Sequence, residues 1–222
     1  MSKEKKGEKV IEIPKESLLR GFSYCLQSFP MWCILLMALF YYGAFLSYNA
    51  LSTVFVVDYY HMSLTESSFI VSLLWIGSIA AAPIVGYVAD TFGKRHFLLN
   101  VNIFCGLIPF AILSVTNKVN IVALTLFLGF SYGGFPTILY SIIPMAVDKK
   151  YLGVANGLVE VANAWGVFIF PALFGIIYEK SSPTVGIAMF TILLSICIFV
   201  NILLSIYNEY KLGGNFSKGM RE

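Results

Sequence analysis

Charged residues are scarce in this sequence and supply only 12% of its 222 positions. A soluble globular domain has about 25% charged residues, so the chain lacks the polar surface that water requires. Hydrophobic residues make up 58% of the chain, and the mean hydropathy is +0.80. This balance excludes an ordinary soluble domain and is typical of a protein that crosses a membrane several times.

Motifs for metal, cofactor and catalytic chemistry are also missing. The cysteines are widely separated, with neither a CxxC pair nor a zinc-type spacing; they are Cys25, Cys33, Cys105 and Cys197. Neither a phosphate-binding loop nor an HExxH segment occurs. We therefore expect no metal, no cofactor and no nucleic-acid partner. Cys25 lies beside the first apolar run and is a candidate for palmitoylation.

Six apolar runs approach or exceed the roughly 20 residues that cross a bilayer. The predicted spans are 31–57, 67–89, 97–115, 120–146, 152–178 and 184–207. Backbone polar groups must be satisfied inside lipid, so each run is predicted to be a helix, and the short linkers make neighbouring helices antiparallel. The sequence therefore predicts an all-α membrane protein in which residues 30–207 form a six-helix bundle surrounded by lipid.

Positive charge lies almost entirely on one side of the six predicted spans. If the amino terminus is cytoplasmic, thirteen of the fifteen Lys and Arg residues fall on that side, and only Lys118 and Lys180 on the other. This bias follows the positive-inside rule and predicts that both termini are cytoplasmic. Residues 1–29 then form a charged cytoplasmic arm, and 208–222 form a cytoplasmic tail in which the sequon at Asn215 stays unmodified.

The cytoplasmic link between spans two and three reads GYVADTFGKRH. Gly86 and Asp90 are four residues apart and share a helix face, where the glycine lets another helix approach closely. Gly93 suits the left-handed turn that ends a helix. A short cytoplasmic loop is expected to be basic, which explains Lys94 and Arg95 but not the other three residues. Lys94 is also within pairing range of Asp90.

This segment resembles the signature of the major facilitator superfamily, Gly-x-x-x-Asp-Arg-x-Gly-Arg-Arg/Lys, which lies between the second and third helices of each six-helix half. Five residues match in type and spacing, namely Gly86, Asp90, Gly93, Lys94 and Arg95. Thr91 replaces the usual base. Residues 29–63 and 147–179 look like the seventh and eleventh helices of the branch that contains lysosomal dipeptide transporters.

The resemblance covers nearly the whole chain but corresponds to the carboxy-terminal half of such a transporter. It implies one six-helix half built as a 3+3 inverted repeat, with residues 1–29 as the linker to the other half. It also implies a gate in which Asp90 caps the cytoplasmic start of span five, near Leu152 and Gly153, and Lys94 and Arg95 help to latch the closed state.

One ionisable side chain, Glu160, lies well inside an apolar run. A carboxylate is costly in lipid, so we expect it to face the bundle interior, to be protonated or to pair. It belongs to a stripe of small and polar residues at helical spacing, made up of Gly153, Asn156, Gly157, Glu160, Asn163 and Ala164. Three roles stay open: helix packing alone, a pathway or coupling role, and an ion pair with a base of another half or subunit.

Span one carries a second stripe at helical spacing, formed by Tyr41, Phe45, Tyr48, Asn49 and Ser52. Tyrosine hydroxyl groups and an amide suit the recognition of an uncharged or zwitterionic solute. Substrate contact through Tyr41, Tyr48 and Asn49 is one interpretation, and ordinary membrane-helix packing is the other.

Bendable helices are predicted where proline and glycine interrupt the spans. Pro83 and Pro171 lie in spans two and five, while Gly133, Gly134 and Pro136 lie together in span four.

Span four also contains Gly129-Phe-Ser131-Tyr-Gly133, which matches the Gly-x-Ser-x-Gly elbow of hydrolases. A serine nucleophile needs a base within hydrogen-bond reach. The predicted topology puts His61 and His96 at helix ends on opposite sides of the membrane, so neither can serve Ser131. We predict that the chain is not an enzyme.

Two functions remain after these exclusions. The first is solute transport by alternating access, as one half of a major facilitator carrier, with dipeptides or related small solutes as the substrate class that the resemblance implies. Such a half needs a second six-helix half, from itself or from a separate chain. The alternative is a six-span membrane protein that does not transport, as a fragment or an interaction subunit. The sequence leaves three locations as alternatives: the lysosomal membrane, another endomembrane or the plasma membrane.

Overall fold

The computed structural model of the chain describes residues 15–211, with side chains from residue 18 onward. Residues 1–14 of the charged arm and residues 212–222 of the tail, including Asn215, lie outside the described residues. Seven α-helices occupy the described part: α1 (Lys15–Gln27), α2 (Phe29–Tyr60), α3 (Leu64–Phe92), α4 (Arg95–Leu113), α5 (Ile121–Ala146), α6 (Leu152–Lys180) and α7 (Pro183–Lys211). A short 3₁₀ helix, Lys149–Tyr151, leads into α6.

Helices α2 to α7 are long and apolar enough to cross a membrane. They overlap the six predicted spans in order, so the expected all-α, six-span architecture is confirmed. The chain is therefore an integral multi-pass membrane protein.

Local chemistry explains where α3 begins and ends. The Ser63 side chain accepts a hydrogen bond from the Glu66 backbone amide while Glu66 bonds back to Ser63, which is a capping box. At the other end, Gly93 takes a φ of 64° and Lys94 a φ of 46°. Two consecutive residues with positive φ reverse the chain within a very short link, so α4 can begin at Arg95.

The helix contacts follow an internal repeat of three helices. Helix α3 packs along α5 as α6 packs along α2, and α4 packs against α5 as α7 packs against α2. Helices α4 and α7 pack against each other between the two sets. Exchanging α2–α4 with α5–α7 therefore preserves the main contacts, as the predicted 3+3 repeat requires.

Close backbone approach joins α3 to α5. A Cβ atom on Gly129 would collide with the backbone of Leu74, and one on Gly133 with the backbone of Ser78. A Cβ on Gly134 would strike the side chain of Asn102 on α4. Gly133 and Gly134, which the sequence analysis assigned to helix flexing, thus have a packing role that lets three helices meet.

Helices α3 and α6 are left open on one side of the bundle. In their most apolar stretches only 17% of residues are buried, against 61% in α2 and 56% in α5. The exposed side chains near mid-helix include Trp75 and Ile79 on α3 and Phe168 on α6. We call the surface formed by α3, α6 and the adjoining side chains of α2 and α5 the open face.

Helix α1 docks on the start of α6. Gly21 is buried with Tyr151 and Val154 close to it, and the rings of Tyr24 and Tyr151 lie 4.9 Å apart. Cys25 on the same side of α1 is fully buried. Burial raises the pKa of the Cys25 thiol, so the palmitoylation considered for it is not available to the docked helix.

Candidate functional site

A polar cluster lies on the open face between α5 and α6. Glu160 on α6 accepts hydrogen bonds from the hydroxyl group of Tyr140 on α5 and, at 3.2 Å, from Nδ2 of Asn163. Glu160 is eight residues into α6, which puts it about 12 Å along the helix from its start. The carboxyl group is thus held by two donors, well inside the membrane-spanning part of the helix. We call Tyr140, Glu160 and Asn163 the carboxylate cluster.

Aromatic side chains extend this cluster along α5. Tyr42 on α2 interacts with Tyr140, and its ring meets that of Tyr132 edge-on at 6.5 Å between centroids. Trp75 on α3 meets Tyr132 in the same way at 5.5 Å. Tyr132 and Tyr140 are two helical turns apart, or about 12 Å. Four helices therefore contribute to one polar and aromatic strip.

The small and polar stripe of α6 lies on the open face and not in the interior of this six-helix bundle. The buried side of α6 carries Ala155, Val159, Gly166, Phe170 and Phe174, because these residues pack against α2 and α7. Positions 153, 157, 160 and 164 of the stripe are exposed, while Asn156 and Asn163 are half-buried. A Cβ on Gly153 or Gly157 would meet no atom within 4 Å. The stripe is therefore an uncovered surface beside the carboxylate cluster.

The tyrosines predicted on span one lie in the core instead of on the open face. Tyr41 is fully buried, stacks on Phe135 at 3.5 Å between centroids and is hydrogen-bonded to Ser131 at 2.7 Å. Tyr48 is only 2% exposed. Their packing prevents contact with a solute in this conformation. Asn49 is half-exposed, and its backbone carbonyl accepts a hydrogen bond from Ser52.

Sequence reasoning missed Tyr42 and Tyr132, and it did not pair Tyr140 with Glu160. A signal was present, because Tyr132, Pro136 and Tyr140 recur every four residues on α5 and are all half-exposed. Tyr42 gives no comparable signal, since it sits in an aromatic-rich run where every face looks alike.

The motif between α3 and α4 is built around Arg95. Its guanidinium Nη2 lies 3.9 Å from a carboxylate oxygen of Asp90, its Nε donates to Ser141 at 3.1 Å, and its Nη1 contacts the sulfur of Met145. The Arg95 side chain is 8% exposed. Lys94, which lies within pairing range of Asp90 in the sequence, is exposed at the turn, and Asp90 pairs with Arg95. Arg95 therefore ties the ends of α3 and α4 to the end of α5.

The predicted cap of Asp90 on the start of α6 is absent from this conformation. Asp90 is paired with Arg95, and α3 and α6 are not among the helix pairs that pack closely together. Residue Tyr151 precedes α6, and its side chain makes no capping hydrogen bond. Gly86 lies on the α5 side of α3, where an added Cβ would come within 3.3 Å of Thr137.

Prolines occur inside four of the six spanning helices. Pro83, Pro136 and Pro171 lie within α3, α5 and α6 as predicted, and Pro109 and Pro144 add further interruptions in α4 and α5. Each proline removes one backbone hydrogen bond from its helix. Flexing at these positions stays a prediction.

Ser131, the serine of the hydrolase-like string, is buried in the middle of α5. Its hydroxyl donates to the backbone carbonyl of Asn102 at 2.8 Å and is bonded to Tyr41. The string lies within a helix, where the strand-to-helix elbow of a hydrolase cannot form.

A sequence profile described as Major Facilitator Superfamily matches residues 33–220. Among curated proteins, the chain is 25% identical to the human lysosomal dipeptide transporter MFSD1 over 195 residues and 24% identical to that of Danio rerio. These matches cover 88% and 87% of this chain but 42% of each relative. The chain thus spans less than half the length of the curated relatives it matches.

A solved structure titled "Crystal structure of auto inhibited POT family peptide transporter" matches with a TM-score of 0.71. The match covers 79% of this chain and 37% of that one, at 14% sequence identity. This similarity concerns the fold alone, and it places the six helices in the arrangement of one part of a larger transporter.

Proposed function

The chain belongs to the Major Facilitator Superfamily, and from this premise we propose that it works as one six-helix half of an alternating-access solute carrier. In such a carrier two halves tilt against each other about a solute site near the middle of the membrane. The substrate class we propose is dipeptides or related small solutes, following the names of the relatives.

The observation that carries this proposal is the polar and aromatic strip on the open face. Glu160, Tyr140 and Asn163 are held together inside the membrane-spanning region, yet among the described residues Glu160 is exposed and the other two are only half-buried. Ionisable and polar groups facing lipid are costly. A second half over the open face would shield them and would turn the strip into the wall of a central cavity.

Two further features support a second half at the open face. Gly153 and Gly157 leave free space along α6, which suits the close approach of another helix. Large apolar side chains are also exposed on α3 and α6, among them Trp75, Ile79 and Phe168, and a second half would cover them. The second half is either another copy of this chain or a separate chain.

Orientation and compartment are part of the same proposal. Lys94, Lys149 and Lys150 lie at the bundle end where α1 docks, whereas Lys118 and Lys180 lie at the opposite end. By the positive-inside rule the first end is cytoplasmic. A lysosomal location is proposed only by analogy with the relatives' names.

Uptake by proteoliposomes tests the transport function. We expect the purified full chain, reconstituted alone, to accumulate radiolabelled Ala-Ala faster than protein-free vesicles if two copies complete the carrier. Excess unlabelled Ala-Ala should suppress the signal. Two preparations are compared with empty vesicles: the chain alone, and the chain purified together with co-expressed membrane proteins. Transport is contradicted if uptake by both preparations equals uptake by empty vesicles.

Cysteine cross-linking tests the location of the second half. Ile79→Cys places a thiol on the open face, and Phe199→Cys places one at similar depth on α7, away from that face. We expect oxidation to link Ile79→Cys to a partner half and to leave Phe199→Cys at the background of the unmodified chain. Equal linking at both positions would place the contact elsewhere.

The alternative function is a membrane interaction subunit that does not transport. The closed pairing of Asp90 with Arg95 would suit such a role, because it ties the motif within one half. A monodisperse monomer in mild detergent, together with absent uptake, would favour this alternative.

A further inference from the structure

Glu160 differs from every other acid in the part of the chain that the structure describes. The remaining acids lie in loops or within three residues of a helix end, where water is close; they are Glu16, Asp58, Glu66, Asp90, Asp148, Glu179 and Glu209. Glu160 alone lies about 12 Å inside a spanning helix. A carboxyl group at such a depth marks a site whose partner has to be identified.

The carboxylate cluster has more hydrogen-bond acceptors than donors. Tyr140 and Asn163 each donate one hydrogen bond to Glu160, and an ionised carboxylate has room for further donors. The carbonyl oxygen of Asn163 is buried and accepts no hydrogen bond from the described residues. Because that oxygen is enclosed by protein, the accessible acceptor capacity of the cluster belongs to the exposed Glu160 carboxylate.

No positive charge compensates Glu160 within the described residues. The ion pairs there join Arg95 to Asp90 and Lys150 to Asp148, and no Lys, Arg or His nitrogen lies within 4.0 Å of the Glu160 carboxylate. Side-chain groups of three or more potential metal ligands are also absent from residues 18–211. A cation with several N–H donors would supply both the charge and the hydrogen bonds that the cluster can still accept.

We propose that the carboxylate cluster of Tyr140, Glu160 and Asn163 binds the protonated primary amino group of the transported solute. An ammonium group carries one positive charge and three donors, which match the charge and the remaining acceptor positions of the exposed Glu160 carboxylate. Charge-assisted hydrogen bonds of this kind are about twice as strong as neutral ones. The inference rests on the proposed carrier function and narrows its substrate class.

The aromatic side chains beside the cluster favour particular groups in the rest of the solute, beyond its amino group. Tyr132 and the exposed Trp75 lie about 12 Å along α5 from Tyr140, and the buried Tyr42 ring packs behind them. An extended dipeptide is about 7 Å long, so its amino end reaches Glu160 while its side chains contact rings. The faces of these rings also attract the ammonium group as it enters. The site is thus suited to amines of dipeptide size and disfavours anions that lack the amine.

Equilibrium binding to the purified full chain, without any transport step, tests the inference. Radiolabelled Ala-Ala is the probe, with N-acetyl-Ala-Ala and Ala-Ala-amide as competitors. The first competitor keeps the carboxylate and loses the charged amine, whereas the second keeps the amine and loses the carboxylate. We expect N-acetyl-Ala-Ala to compete about 10- to 100-fold more weakly than Ala-Ala, and Ala-Ala-amide to compete nearly as well as Ala-Ala.

The substitution Glu160→Gln should weaken Ala-Ala binding about 10- to 100-fold and should abolish the preference for Ala-Ala over N-acetyl-Ala-Ala. Glu160→Asp keeps the charge and should retain that preference. Glu179→Gln is the matched control, because it makes the same change at an exposed position on the same helix; it should bind as the parent does. Size-exclusion elution checks that each variant remains folded, as expected for substitutions at exposed positions.

Three results would overturn the inference. The first is undiminished preference for the free amine in Glu160→Gln. The second is that Glu160→Gln loses the pH dependence of uptake but still prefers Ala-Ala over N-acetyl-Ala-Ala. That result would make Glu160 a proton carrier. The third is weaker cross-linking of Ile79→Cys in the Glu160→Gln background, again with intact preference, which would make Glu160 an ion-pair partner of the second half. Amine-dependent binding without uptake would support the inference while contradicting the carrier function.

Discussion

Single residues of one type have opposite roles in this bundle, and the glycines show it most clearly. Gly133 lies where α5 touches the backbone of α3, so a side chain there has no room. Gly157 lies on the open face, where an added Cβ meets nothing within 4 Å. Both glycines look alike in the sequence, since each is part of a small-residue pattern in an apolar run.

The paired substitutions Gly133→Ala and Gly157→Ala should therefore affect stability in opposite directions. Gly133→Ala overpacks the α3–α5 contact and should lower the free energy of unfolding by about 1–3 kcal/mol. Gly157→Ala should leave stability unchanged or raise it by up to about 1 kcal/mol, because alanine favours the helix. Thermal unfolding of the purified chain in detergent measures both. Equal loss of stability in the two variants would contradict the assigned contacts.

At the scale of helices, α1 is held to the bundle by one narrow side. Gly21 and Cys25 face α2 and the start of α6, whereas Leu19 and Phe22 on the other sides are exposed. The sequence analysis placed residues 1–29 in a cytoplasmic arm and gave them no packed structure. In the structure, α1 precedes the first spanning helix and packs against the start of α6.

Thiol labelling measures whether α1 stays docked. Gly21→Leu would push against Tyr151 and Val154 and should release the helix, whereas Ser23→Leu adds the same side chain at an exposed position. Burial raises the pKa of the Cys25 thiol, so the docked chain should react slowly with maleimide and need a higher pH for the thiolate to form. Gly21→Leu should speed the labelling at neutral pH.

Two controls make this labelling specific. The Ser23→Leu variant should react at the rate of the parent chain, and adding Cys25→Ser to Gly21→Leu should remove the extra signal. Fast labelling of the parent chain, equal to that of Gly21→Leu, would show that α1 is not docked.

Over the whole molecule, the motif between α3 and α4 combines a buried arginine that joins helix ends with an exposed aspartate at the surface. Arg95 is buried and bonded to Ser141 as well as to Asp90, so it holds three helix ends together. Asp90 is 53% exposed and makes the outer contact. The arrangement lets Asp90 leave Arg95 and bind elsewhere without the bundle losing its internal brace.

Asp90→Ala should shift the resting state towards an opening on the cytoplasmic side while changing stability little. Arg95 keeps its other contacts in this variant, and an exposed ion pair contributes at most about 1 kcal/mol. Accessibility of an engineered cytoplasmic cysteine measures the shift. Asp148→Ala is the control, because it removes a similarly exposed acid whose ion pair among the described residues is with Lys150 at 3.7 Å. Equal accessibility in Asp90→Ala, Asp148→Ala and the parent would contradict a gating role.

The candidate site was predictable only in part, and its residues show why. Glu160 and Asn163 were identified because a carboxylate in an apolar run is conspicuous by itself. Tyr140 belongs to the cluster because α5 and α6 lie side by side, and twenty residues separate it from Glu160. Solute contact and ordinary packing were both open for Tyr41 and Tyr48, and in this structure they pack in the core, since tyrosine suits a buried position as well as a wet one.

The sequence by itself determined the membrane class, the six helices, their order and the family, because hydropathy and motif spacing are local properties that need no knowledge of neighbours. Only the tertiary structure decided which side of each helix is open. These helices are apolar on all sides, so their pattern carries almost no amphipathic signal, and burial depends on contacts between helices far apart in the chain. That is why Glu160 lies on an uncovered face instead of in the bundle interior, and why its partner is Tyr140.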